Sequence, residues 1–220
     1  VRIRLAHLVS TVNLSFTCDQ SRARAPLGLR VAELLGARGS FAEIGVTLAD
    51  RATWLARAGT WKLSAERNLL VDKALGHESD IAVEVTGDTR DARDVLDALW
   101  AALGEIAGEP PRSVDESLGT FSYQTTAVVE LPKTLDELFP QVALLARQLR
   151  DRLPAKSLEP EGSQRFRVAI PITFAVGART VERSLVIEPR FSAKTADRIY
   201  YTMSPLPSDE HLALLEDLCR

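Results

Sequence analysis

The chain predicts an α+β fold: a mostly antiparallel, or mixed, sheet with helices packed on one face and strand–helix units repeated along its length. Three observations lead there. Residues 9–18 alternate apolar Val12, Leu14, Phe16 and Cys18 with polar Thr11, Asn13, Ser15 and Thr17, the period of a half-buried strand. Two apolar arms, FRVAIPITFAV (166–176) and TVERSLVIEP (180–189), flank the turn Gly177-Ala178-Arg179 and read as a hairpin. From Asp80 onward, an apolar strand, a short polar loop and a leucine-rich helix follow one another three times. Right-handed crossovers in those units would make part of the sheet parallel.

The first strand runs into SRARAPLGLRVAELLGARGS, where a short helix is expected to start near Pro26 and stop at Gly36. Phe41–Leu48 then reads as a strand. Between Thr60 and Val71, Trp61, Leu63, Leu69 and Val71 suggest one or two more. The strand 81–85 (IAVEV) leads to a helix over Thr89–Ile106, in which Ala92, Leu96, Leu99, Leu103 and Ile106 form one core-facing stripe. Asp91 and Asp94 sit in its first turns, where the helix dipole favours negative charge.

After the strand 121–131, Thr134 and Glu137 form a T-x-x-E capping box. Leu135, Leu138, Val142, Leu145 and Leu149 repeat the three/four spacing of a buried stripe. Pro140 inside that pattern removes a backbone donor, so the helix either kinks there or starts afresh after one capped turn. Arg147, Arg150 and Arg152 suit a helix C-terminus. Pro171 favours an edge or bulged position for the first arm of the hairpin. The strand 198–203 precedes a last helix with Leu212, Leu215 and Cys219, for which Ser208 is the expected N-cap. The Gly-, Pro- and acid-rich segment 104–119 is the best linker, dividing residues 1–108 from 119–220 as two α+β halves or joining them within one domain.

With 220 residues, 45% of them hydrophobic and 26% charged, the chain has an ordinary globular composition. No apolar run approaches the ~20 residues of a bilayer-spanning helix, and the opening residues lack the apolar core and cleavage site of a secretory leader. Two cysteines, Cys18 and Cys219, stand near opposite ends and are expected to be reduced. A cytoplasmic location follows from these signs. Arginine outnumbers lysine 22 to 5 in an Ala-, Leu- and Val-rich chain, which reflects a GC-rich bacterial genome more simply than nucleic-acid binding. The net charge of −3 conceals a basic first segment and an acidic centre.

Motifs for chemistry are sparse. His7, His77 and His211 are isolated, HESDI at 77–81 lacks the second histidine of a zinc motif, and no catalytic residue, metal or cofactor is assigned. His77 reads as a solvated turn residue and His211 as a surface residue of a first helical turn. Asp88, Asp91, Asp94 and Asp97 recur every three residues and drift around their helix, as a solvated face does. Thr86, Gly87 and Thr89 lie between a strand and a helix N-terminus, a place where backbone amides can receive an anion. Arg22, Arg24, Arg30 and Arg38 form the one basic cluster able to touch phosphates, but without interleaved aromatics. The expectation is therefore a non-enzymatic binding or regulatory module, acting through a protein partner or self-association in a larger assembly. Nucleic-acid association through Arg22–Arg38 is one alternative. An enzyme with a dispersed site gathering His77 with Glu66, Asp80 or Cys18 is another.

Overall fold

The computed structural model describes residues 2–16, 27–46, 53–77, 80–107, 119–152, 167–176, 179–190 and 198–220. In chain order the elements are β1 (Arg4–Phe16), α1 (Leu27–Arg38), β2 (Gly39–Val46), β3 (Trp54–Lys62), β4 (Asn68–His77), β5 (Asp80–Thr86) and α2 (Thr89–Ala107). Then come β6 (Gly119–Glu130), α3 (Leu135–Leu138), α4 (Pro140–Arg152), β7 (Val168–Val176), β8 (Arg179–Pro189), β9 (Ile199–Ser204) and α5 (Ser208–Leu218). The strands form one sheet in the order β2-β3-β4-β5-β1-β6-β9-β8-β7. Every ladder among them is antiparallel, so the fold is α+β and the parallel crossovers expected of the strand–helix units do not occur among the described strands.

The order follows from the connections. After β1, the chain passes through α1 to one edge of the sheet, then returns by the meander β2-β3-β4-β5 until β5 pairs with β1. After β6, it passes through α3 and α4 to the opposite edge and returns by β7-β8-β9 until β9 pairs with β6. The two starting strands, β1 and β6, pair with each other at the centre. Pro171 lies opposite Ser184 on β7, an edge strand of the sheet, the position that its missing amide proton favours.

Register is set by burial. Val12 and Leu14 are fully buried, and a one-residue slip of β1 would turn both to the other face. Through the ladders they share a face with Val83 and Ile81 of β5 and with Ala74 of β4. On that face Val31 and Leu35 of α1 and Ala92, Val95, Leu96 and Leu99 of α2 complete one core cluster, with Trp54 and Trp61 as its largest members. A second cluster joins Ala127 and Val129 of β6, Leu135 of α3, Ile187 of β8, Tyr200 of β9 and Leu215 and Cys219 of α5. Trp54 lies across Gly76, and a Cβ there would meet the indole at 2.3 Å, so only glycine fits.

Several expectations need correction. β3 starts at Trp54, six residues before the predicted strand, because Arg57-Ala58-Gly59 hides the alternation and Ala58 takes a left-handed φ of 48°. The single capped turn and fresh start at Pro140 are both present, as α3 and α4. The α4 stripe, however, is not core: Val142, Leu145 and Leu149 are exposed. His211 is fully buried, not on the surface. Ser208 is the first residue of α5 and not its cap; Pro207 holds that position and the Ser208 hydroxyl serves a different helix. Of the proposed linker, residues 104–107 belong to α2 and 108–118 lie outside the described residues.

Candidate functional site

A cleft of about 1000 Å³ opens where the N-termini of α2 and α5 meet above the central strands. Its floor is Leu8 of β1 and Tyr123 of β6. The two helix starts are tied reciprocally: the Thr89 amide donates to Ser208 Oγ at 3.0 Å, and the Ser208 amide donates to Thr89 Oγ1 at 2.8 Å. Each hydroxyl satisfies a donor that the other helix leaves unpaired at its first turn. Beneath them, the facing residues Ser10 and Thr125 send their hydroxyls to the loops that enter the two helices. Ser10 donates to the Gly87 carbonyl at 2.9 Å and Thr125 to the Leu206 carbonyl at 2.8 Å.

The cleft walls are charged. Arg67, from the turn between β3 and β4, bridges Asp91 and Asp94 at 2.6 Å each, and those hydrogen bonds raise its affinity for the proton further. Arg93 pairs with Asp97 at 3.0 Å and lies 3.8 Å from the Phe121 ring centre, a cation–π distance. The acids spaced by three therefore do not converge on one point; two are bridged by an arginine and a third is paired.

The residues named from sequence fall in different places. Thr86 donates to Asp72 at 2.8 Å, the Gly87 amide donates to the Leu8 carbonyl at 3.0 Å, and the amides of Arg90 and Asp91 both donate to Asp88 Oδ1. With Thr89 bonded to Ser208, these donors already have acceptors inside the chain. Of the basic cluster, Arg22 and Arg24 lie outside the described residues. Arg30 is exposed on α1, and Arg38 pairs with Glu105 at 2.9 Å. The sheet face opposite the core balances its charges: the cross-strand row Glu43, Arg57, Lys73, Glu84, Thr11, Gln124 holds two acids and two bases, with Arg57 and Glu43 3.6 Å apart.

His77 stands opposite Asp80 in the β4–β5 register, and Asp80 accepts from the Ser15 hydroxyl. Glu66 lies in the turn before β4, at the other end of that strand from His77, so the two are not brought together. Cys18 is outside the described residues; Cys219 is free and buried, and burial pushes its thiol pKa up, which makes it a small apolar group. Among the described residues no group of three His, Cys, Asp or Glu side chains is placed to hold a metal ion. No described helix is long and apolar enough to cross a membrane.

No family model matches this chain, and no curated protein matches it.

The remaining surface of note is α4. Val142 is 41% exposed, Leu144 57%, Leu145 54% and Leu149 54%, while among the described side chains of this helix only Ala143 is buried. The helix is tied to α3 by Arg147, which reaches Asp136 at 2.8 Å. α3 in turn is fixed to the sheet. Leu135 is buried in the second cluster, and its amide donates to the Tyr200 hydroxyl at 3.2 Å, supplying an acceptor for a first-turn donor. The sequence did carry a signal for this surface. Leu144 falls about 100° outside the stripe of Val142, Leu145 and Leu149, so α4 is apolar over more of its circumference than one core contact covers.

Proposed function

We propose that this protein is a binding module that acts by contact with protein, and that the apolar face of α4 is the contact surface. The observation that carries this is the exposure of Val142, Leu145 and Leu149, an i, i+3, i+7 set of anchors with Leu144 beside it. That spacing suits helix pairing or insertion into a groove. Burying one such side chain contributes about 1.5–3 kcal/mol, so four left in water on one short helix are a large unspent driving force.

The scaffold behind this surface supports the same reading. We infer that the chain repeats one plan twice, a strand, a helical crossover, a returning meander and a final helix, about an approximate two-fold axis at the Ser10–Thr125 pair. The reciprocal Thr89–Ser208 bonds and the matching Ser10–Gly87 and Thr125–Leu206 bonds support it. The helices lie on one face in this plan, a reading supported by the ladder pairs Val12–Val83, Ser10–Thr125, Ala127–Thr202 and Thr202–Ile187, which link buried residues of the two clusters across the sheet. In the first half the crossover helix α1 buries Val31 and Leu35; in the second half α4 leaves its leucines in water.

The test is a double variant, Leu145→Glu with Leu149→Glu. Its unfolding free energy is expected to stay within about 1 kcal/mol of wild type, as for surface positions. Photo-crosslinking from position 142 to protein in native extract is expected to disappear. Loss of folding would show the face to be core, and undiminished or absent cross-linking would show it not to be the contact surface.

A further inference from the structure

We infer that the first turn of α5 is an acid-opened latch: when His211 takes up a proton, its ring leaves the core, Ser208 parts from Thr89 and the cleft between α2 and α5 opens. The ring is fully buried, with Nε2 2.8 Å from Thr202 Oγ1. Nδ1 is buried as well and has no hydrogen-bond partner among the described residues. An imidazolium carries two N–H groups, and the one on Nδ1 would face no acceptor there.

No charge compensates it either. Thr202 of β9 has the uncharged ladder partners Ala127 of β6 and Ile187 of β8, and Leu8 of β1 lies opposite Ala127. The titratable groups of this cluster, Tyr200 of β9 and Cys219 of α5, are both kept neutral by burial. From α3 comes Leu135, while Asp136 pairs with Arg147 and Glu137 is held in the Thr134 cap. Asp209 and Glu210 of α5 are exposed, as are Asp88 and Arg90 beside Thr89. Burial is accordingly the cause that brings the ring's pKa from 6.5 to about 4.

The His211 amide closes the first turn of α5 on the Pro207 carbonyl at 2.8 Å, so the ring and Ser208 share that turn. Two anchors flank it: the Leu206 carbonyl on Thr125, and Leu215 in the second core cluster. The ring leaves when the turn between them unwinds. Pro207, Ser208, Asp209, Glu210 and Leu212 line the cleft, so this removes one wall and uncovers Leu8 and Tyr123.

The experiment is residue-resolved amide exchange on the full chain from about pH 7 to about pH 4.5, with and without about 1 M urea. Three amides report on the latch: Thr89 and Ser208, bonded to each other's hydroxyls, and His211. The opened turn takes its proton near 6.5 and the closed one near 4, so their protection is expected to fall about tenfold per unit below about pH 6. They are also expected to exchange faster than the amides of β1 and β6 and to respond little to urea, since a local opening exposes little surface. His211→Gln keeps a neutral donor beside Thr202 and is expected to hold the three amides at constant protection over this range. The same rates and urea response as β1 and β6 would overturn the inference, because the turn would then open only with the whole fold. Flat protection in wild type, or an equal fall in H211Q, overturns it too. The urea comparison needs wild type alone, so it decides the matter even where H211Q does not fold.

Discussion

His211 is the residue whose chemistry departs furthest from its position in the sequence. Its ring Nε2 lies 2.8 Å from Thr202 Oγ1, and Thr202 Oγ1 lies 3.3 Å from the Ala127 carbonyl, which can only accept. The hydroxyl therefore donates to the carbonyl and the ring donates from Nε2, leaving Nδ1 a buried lone pair with no partner among the described residues. Burial lowers the pKa from the ordinary 6.5 to about 4. The folded state thus binds fewer protons than the unfolded chain between those values. The stability this residue confers is whole above pH 6.5 and is lost as pH falls toward 4, by about 3 kcal/mol in all. Chemical unfolding of wild type and His211→Leu across that range should show a slope in the first that the second lacks. Equal slopes would mean that the ring takes its proton without leaving the core.

At the scale of elements, the helices show what local pattern can and cannot decide. The Thr134–Glu137 box forms as its spacing predicts. The Glu137 amide donates to Thr134 Oγ1 at 3.3 Å; in return the Thr134 amide donates to Glu137 Oε2 at 2.6 Å and the Thr134 hydroxyl donates to it at 3.0 Å, and these last two bonds hold the Glu137 carboxyl below its usual pKa. Thr134→Ala is expected to cost about 1 kcal/mol in a denaturant titration, and because α3 carries α4, the loss should also speed amide exchange in α4. Protection in α4 that is indifferent to the cap would show the two helices to be independent. The apolar stripes of α2 and α4 have the same three/four spacing, yet one is core and the other is exposed. Spacing places side chains on one face of a helix; it does not place anything opposite that face. α2 follows β5 through a short turn and returns over the central strands, whereas α4 follows a one-turn helix anchored by Tyr200 and is tied to it by the Arg147–Asp136 pair.

For the whole molecule, the central question is how strands from both ends of the chain share one sheet. The answer lies in β1 and β6, which pair over most of their lengths, and in the hydroxyls above them. Thr89 and Ser208 are 119 residues apart, and each caps the other's helix in a buried position. Removing either hydroxyl leaves one buried amide unpaired, at about 1–3 kcal/mol, and removing both leaves two. Thr89→Val and Ser208→Ala are therefore each expected to cost that much in a denaturant titration, and their losses to add in the double variant. A single variant as stable as wild type would mean that the amide it frees finds another acceptor.

The elements themselves were legible in the chain. β1, β5, β6, the β7–β8 hairpin, α2 and the break at Pro140 follow from period, capping and proline chemistry, which act over a few residues. Strand order, the burial of His211, the Thr89–Ser208 link and the exposure of α4 were decided only in the tertiary structure. Each depends on which distant segment arrives opposite a given face, and alternation along a segment records that a face is apolar without recording what will cover it.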